Sequence, residues 1–197
     1  MRYIVGLSGT HGTGKTTIMN GVKDAGFSVA EAQLSRSAQA QLGWDTLKRV
    51  EESEENMWAL QNAILDALIV RDASIEQSQD VTLVERTPAD LWAYTETWCF
   101  RLGINPVFNP KAVAYKDRLR EACKRYDLFV VVKPHENIPF VEEPNRADLA
   151  SRKQVERAID AFTWDTMIPT MPINTVSKDD RIAEAVRIMQ WRTELKA

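Results

Sequence analysis

Cysteine and histidine are the scarcest chemistry-bearing residues in this chain of 197, with two of each. Cys99 and Cys123 have no metal-ligand spacing and fall in stretches with helical patterning, so both read as buried thiols of a reducing compartment. Neither histidine reads as a catalytic base, since His11 sits inside a glycine-rich loop and the sequence around His135 carries no catalytic motif. No apolar run approaches the length of a membrane span, and the glycine-rich loop begins too early to follow a cleaved signal peptide. A cytoplasmic protein without a membrane partner is therefore expected. A formal net charge of -3 gives no global attraction to nucleic acid, although local basic patches are compatible with it. There is no internal repeat and no low-complexity segment. The length suits one well-filled α/β domain and is short for two, so residues 1–197 are expected to form a single domain.

Against these absences, one feature is unmistakable. Residues 9–16 read Gly9-Thr10-His11-Gly12-Thr13-Gly14-Lys15-Thr16, a complete G-x-x-x-x-G-K-T phosphate-binding loop. Glycines let backbone N–H groups turn inward on phosphate, Lys15 supplies a cation for the β and γ oxygens, and the Thr16 hydroxyl suits Mg²⁺. The context agrees. Tyr3-Ile4-Val5-Gly6-Leu7 is an apolar run fit for a buried strand, and residues 16–25 suit a helix closed by Gly26. Phosphate would then sit on the positive end of that helix. The chain is thus expected to use a nucleoside triphosphate, with residues 9–16 and Thr17 around it.

Further elements follow in alternation. Residues 27–30 suit a second strand ending at Glu31, and a polar stretch containing Arg36 comes next. Residues 51–79 carry acids near their start and Met57, Leu60, Ile64, Leu65, Leu68 and Ile69 at helical spacing, the pattern of a long amphipathic helix. Residues 81–84 form another apolar strand, terminating in Glu85-Arg86. Thr87-Pro88-Ala89-Asp90 then announces a helix with a capping threonine, proline at the first helical position and an early acid, ended by Gly103. After a loop at 104–110, a helix rich in Lys and Arg reaches residue 125. Residues 128–132 read as a central strand buried on both faces. Residues 133–152 are irregular and proline-punctuated, as suits a lid over 134–152. A helix at 152–162, a strand at 173–176 and a helix capped by Ser177 with Asp180 complete the chain. Strands alternating with helices imply an α/β fold whose parallel sheet is covered on both faces, with its ligand site at the carboxyl ends of the strands.

On that architecture the phosphate loop, Glu31, Glu85 and Arg86 all follow strand ends and converge on one edge. Glu85 stands where a strand-end acid can hold Mg²⁺ through water or accept a hydroxyl proton; the plainer reading is a cap for the next helix. Arg86 suits either an anionic acceptor group or an ion pair with Asp90. Arg146 and Arg152, in or beside the lid, are either the cations that balance a migrating phosphoryl charge or solvated surface residues. Lys111, Lys116, Arg118, Arg120, Lys124 and Arg125 give one helix a basic character, either a solvated face or a groove for a polyanion. Among the six tryptophans, Trp98 shares a helical stripe with Leu91, Tyr94 and Leu102 and reads as core. Trp92 falls off it and is placed at the rim of an acceptor pocket, while Trp44 and Trp58 stay undecided.

Ser8 to Thr17, Glu31 with Arg36, the run Glu85-Arg86-Thr87-Pro88-Ala89-Asp90-Leu91-Trp92-Ala93-Tyr94, and the later Arg146 and Arg152 together resemble a set of P-loop kinases. That set includes ribosylnicotinamide-kinase-like proteins, deoxynucleotide kinases and the bacteriophage kinases that phosphorylate 5-hydroxymethyluridine within DNA. The resemblance spans nearly the whole chain. It implies a P-loop NTPase fold with a nucleoside-monophosphate-kinase-like core, ATP and Mg as donor and metal, and a lid carrying Arg146 and Arg152. It further implies Lys15, Glu85 and the lid arginines as catalytic residues, Thr16 and Glu85 as metal ligands, and Glu31, Arg36, Arg86 and Asp90 on the acceptor side. The implied reaction is transfer of a γ-phosphoryl group to a hydroxyl of a nucleoside-type acceptor, with 5-hydroxymethyluridine in phage DNA the leading specific case and the host cytoplasm its setting. A free nucleoside or nucleoside monophosphate is the close alternative. A nucleotide switch or ATPase without an acceptor is the competing class; the guanine-reading N-K-x-D of small GTPases is absent.

Overall fold

In the computed structural model, residues 3–30, 33–75, 80–135 and 149–195 are described. Five strands pair in parallel: β1 (Tyr3–Ser8), β2 (Ser28–Ala30), β3 (Val81–Glu85), β4 (Leu128–Val132) and β5 (Thr170–Ile173). Their order across the sheet is β2-β3-β1-β4-β5, so the strand feeding the phosphate loop is central and the Glu85 strand lies directly beside it. All five residues of β4 are buried, as are five of six in β1, which explains why these runs are almost uninterruptedly apolar.

Alternation along each strand then feeds two separate cores. Val5, Leu7, Leu83, Leu128 and Val130 face α1 (Lys15–Asp24) and α7 (Lys178–Glu194) through Ile18, Met19, Val22, Ile188 and Met189. Ile4, Val84, Phe129 and Val131 face the larger side, built by α3 (Glu54–Ile75), α4 (Pro88–Arg101), α5 (Pro110–Cys123) and α6 (Leu149–Thr166). The sheet is therefore covered on both faces in a P-loop NTPase arrangement, as the alternating pattern implies. Both cysteines are buried and unbridged, with burial pushing the Cys99 thiol to about 11 and the Cys123 thiol to about 12. Among the described residues no helix is long and apolar enough to cross a membrane.

Four elements depart from the sequence reading. The polar stretch after β2 contains a helix, α2 (Leu34–Gln41), and a 3-10 turn (Leu47–Glu51). These pack against α3, whose Met57, Leu60, Ile64, Leu65 and Leu68 are buried as the spacing implies, while Glu55, Ala59, Asp66, Val70 and Ser74 stay exposed. α6 starts at Leu149, so Arg152 stands in a helix and not in a loop. β5 lies three residues earlier than expected and contains Pro172; an edge strand tolerates this because it pairs on one side only.

Candidate nucleotide site

The phosphate loop leaves β1 at Ser8 and enters α1 at Lys15. Gly9, Gly12 and Gly14 take φ of 145°, 72° and 85°, values that side chains disfavour. At Gly9 space matters as well, because a Cβ there would lie 2.7 Å from the Val132 carbonyl oxygen. Gly14 caps α1 in the left-handed conformation without a side-chain hydrogen bond, and the first turn holds no acid. The helix start is thus left as an electropositive cradle. Inside it, Thr13 donates to the Thr10 carbonyl at 2.9 Å. The buried Lys15 Nζ folds back on the carbonyls of Gly9 and Thr10 at 2.6 and 2.8 Å. Thr16 is exposed at the helix start, Thr17 half-buried, and His11 is buried with its Nδ1 3.5 Å from the Tyr94 hydroxyl.

Asp90 locks this loop to the neighbouring strand. Its fully buried carboxylate accepts from Ser8 Oγ at 2.8 Å, Gly9 N at 3.2 Å, and both the amide and the hydroxyl of Thr87 at 2.9 and 3.0 Å. The predicted cap of α4 is therefore a complete capping box whose acid also reaches across to the loop. Through these four bonds Asp90 organises the loop.

Glu85 and Arg86 form the corner between β3 and α4. Parallel pairing sets Glu85 opposite Leu7, immediately beside the loop, and leaves its side chain half-buried. Arg86 holds φ of 67°, a conformation costing a non-glycine residue about 1 kcal/mol, and its N–H donates to the Leu7 carbonyl at 3.3 Å. Its guanidinium lies 5.1 Å from the Tyr94 ring centre. Burial opposes the Arg86 charge, but Tyr94, Asp90 and Glu85 outweigh burial and keep the residue charged well above the ordinary range.

Two more arginines approach from the far side. Arg152, buried on α6, donates through Nε to the Thr10 hydroxyl at 3.2 Å. Arg181, buried on α7, donates to the carbonyls of Thr13, Thr175 and Lys133 at 2.7, 2.7 and 2.9 Å, joining three loops at the sheet edge. Burial lowers the Arg181 guanidinium below its usual value, and the charge of Arg152 lowers it further. Burial likewise lowers Arg152, with Glu156 acting in the opposite sense. Two mutually repelling cations beside an amide cradle favour a polyanion, so the residues present fit a triphosphate. Among the described residues no group of three or more His, Cys, Asp or Glu side chains could hold a metal by itself. Mg²⁺ at Thr16 and Glu85 would therefore take phosphate oxygens and water as further ligands.

The other expected residues divide. Glu31 and Arg146 lie outside the described residues, as does 136–148 of the expected lid. Arg36 is exposed on α2. Trp92 is core, stacked on Phe162 at 6.4 Å beneath Lys116, which corrects its placement at a pocket rim, because α4 is covered on several sides at its start; Trp98, half-buried, packs against the same core as expected. Trp58 is core and Trp44 packs at its margin. The cations of α5 and of the two residues after it have partners within the protein. Lys111 meets Glu54, Lys116 and Arg120 meet Asp165, Arg118 meets Asp66 at 2.6 Å, Lys124 meets Glu121, and Arg125 donates to the Ile69 carbonyl. These pairings agree with the reading of a solvated face. Sequence reasoning passed over Arg71, Asp72, Tyr126 and Arg181. A signal existed for two of them: Asp72 and Arg181 sit in register with the buried stripes of α3 and α7, where a charged residue needs a partner.

A central parallel strand, a glycine loop cradling the start of a helix, and a strand-end acid beside it define a nucleotide-binding P-loop NTPase domain. The chain belongs to the AAA domain family, whose model matches residues 4–181. No curated protein matches the sequence. Membership carries nucleotide binding together with ATP hydrolysis or phosphotransfer, and it stops short of the kinases that the motifs resemble.

Proposed function

We propose that the domain is an ATP-dependent phosphotransferase acting on a hydroxyl of a free nucleoside-type acceptor. The observation that carries this reading is the pairing of β3 with β1, which sets Glu85 opposite Leu7 at the mouth of the phosphate loop. An intervening strand would move the acid about 4.8 Å further away. In the proposed step the acceptor hydroxyl gives its proton to the Glu85 carboxylate while its oxygen bonds to the γ phosphorus. The bond from that phosphorus to the β–γ bridging oxygen breaks, and ADP leaves. Lys15 and the loop amides hold the donor, and Arg152 balances the migrating charge. Mg²⁺, held by Thr16 and by Glu85 through water, would neutralise the phosphate oxygens.

A free acceptor is favoured over 5-hydroxymethyluridine within DNA because the cations of α5 already have protein partners. The test is incubation with ATP labelled at the γ position and, separately, nucleosides, nucleoside monophosphates and DNA containing 5-hydroxymethyluridine. Label on a free acceptor is expected. Label on polymer alone would transfer the assignment to DNA modification, and label released only as phosphate would leave an ATPase.

A further inference from the structure

Behind the Glu85–Arg86 corner lies a charged group that the reaction itself does not use. Arg71, near the end of α3, forks its guanidinium across two consecutive backbone carbonyls, donating to Glu85 O at 2.5 Å and Arg86 O at 3.0 Å. The fork is itself fastened. Arg71 Nε donates to the fully buried Asp72 carboxylate at 2.9 Å, and Nη2 approaches the Tyr126 hydroxyl at 3.0 Å, which donates to the other Asp72 oxygen at 2.7 Å. Burial pushes the Tyr126 phenol well above its ordinary value, so it stays a neutral donor. The braced carbonyls belong to the acid beside the phosphate loop and to the one non-glycine residue of the site held at positive φ. Arg71 therefore grips the backbone of the acid that would deprotonate the acceptor.

We propose that Arg71, braced by Asp72 and Tyr126, is a positioning residue that fixes the Glu85–Arg86 corner for phosphoryl transfer. Two parallel N–H bonds hold both carbonyls of a turn in one plane, which a lysine ammonium, having no fork, does not reproduce. The inference rests on the phosphotransferase reading only for the identity of the reaction measured. Arg71→Ala is expected to lower turnover by about 10²-fold while leaving ATP affinity within about twofold, the signature of lost alignment without lost donor binding. Arg71→Lys is expected to stay impaired, and millimolar guanidinium chloride to restore part of the Arg71→Ala turnover. Tyr126→Phe, which keeps the ring and removes the brace, is expected to lie between Arg71→Ala and wild type.

Amide hydrogen exchange gives a readout independent of any acceptor. In Arg71→Ala the segment 84–90 should exchange faster while β1 and β4 keep their protection. Wild-type turnover in Arg71→Ala, or equal losses of turnover and ATP affinity with no guanidinium rescue, would overturn the proposal. Should wild type label no acceptor, the phosphotransferase reading fails by itself. Exchange at 84–90 and ATP hydrolysis still decide the role of Arg71, and unchanged exchange there overturns it.

Discussion

At the scale of single residues, Glu85 and Asp90 stand five positions apart, the first given chemistry in the proposed reaction and the second holding the scaffold. Glu85 has a half-buried carboxylate at the edge of the loop, so Glu85→Gln should lower turnover more than tenfold while ATP affinity changes by less than about threefold. Single-turnover kinetics beside an equilibrium nucleotide titration checks this. Asp90 is the reverse case. Removing a buried carboxylate that accepts four hydrogen bonds leaves Ser8, Gly9 and Thr87 donors unsatisfied, so Asp90→Ala should cost about 3 kcal/mol in urea unfolding and weaken ATP binding as the loop loosens. The sequence shows both acids but not which faces solvent, since a strand-end glutamate and a capping aspartate carry the same charge and only packing distinguishes them. The cysteines extend the same logic to pH. Burial raises both thiols, to about 11 and about 12, so the folded state prefers them protonated. Their contribution to stability is complete below the unfolded thiol pKa, near about 8.5, and fades as pH rises through 11 and 12. Relative to Cys123→Ala, wild type should lose stability across that window. At pH 8 iodoacetamide should label neither thiol until the protein is unfolded.

At the scale of elements, close approach decides what the pattern alone does not. α1 lies against α7 where Gly21 meets Ile182, and a Cβ on Gly21 would overlap that isoleucine. Gly21→Ala gains helix propensity on an isolated helix, yet here it should destabilise by about 1–3 kcal/mol. Ile182→Ala should recover part of the loss in the double variant, measured as a thermodynamic cycle. The elements whose residues report their surroundings were legible: β4 is apolar throughout because it is buried on both faces, and Thr87-Pro88-Ala89-Asp90 spells its own cap. Those shaped by neighbours were not. α2 contains the run Ser35-Arg36-Ser37-Ala38-Gln39-Ala40, with two buried positions and little apolar signal, so its helix depends on docking against α3. Pro172 hides β5, because proline argues against a strand until the strand is known to lie at an edge.

For the whole molecule, the alternation of strands and helices was enough to imply a parallel sheet with the site at its carboxyl edge. The order of strands was not readable, because nothing in an apolar run names its neighbour. That order would arrange the two substrates of the proposed reaction unequally. The donor half rests on β1, flanked on both sides and buried, together with α1 and α7. On the proposed phosphotransferase reading the acceptor side would lean on β2, three residues long, paired with β3 alone and only partly buried, and on the short helix α2. Local opening should begin where backbone bonds are few and exposed. At denaturant concentrations just below the main transition, β2 and α2 should lose exchange protection first, and the protein should still retain ATP after its capacity to recognise an acceptor has gone. A cell under mild thermal stress would then hold a form of this domain that sequesters nucleotide without turning it over. The margin between those two losses is set by how a three-residue edge strand is fastened.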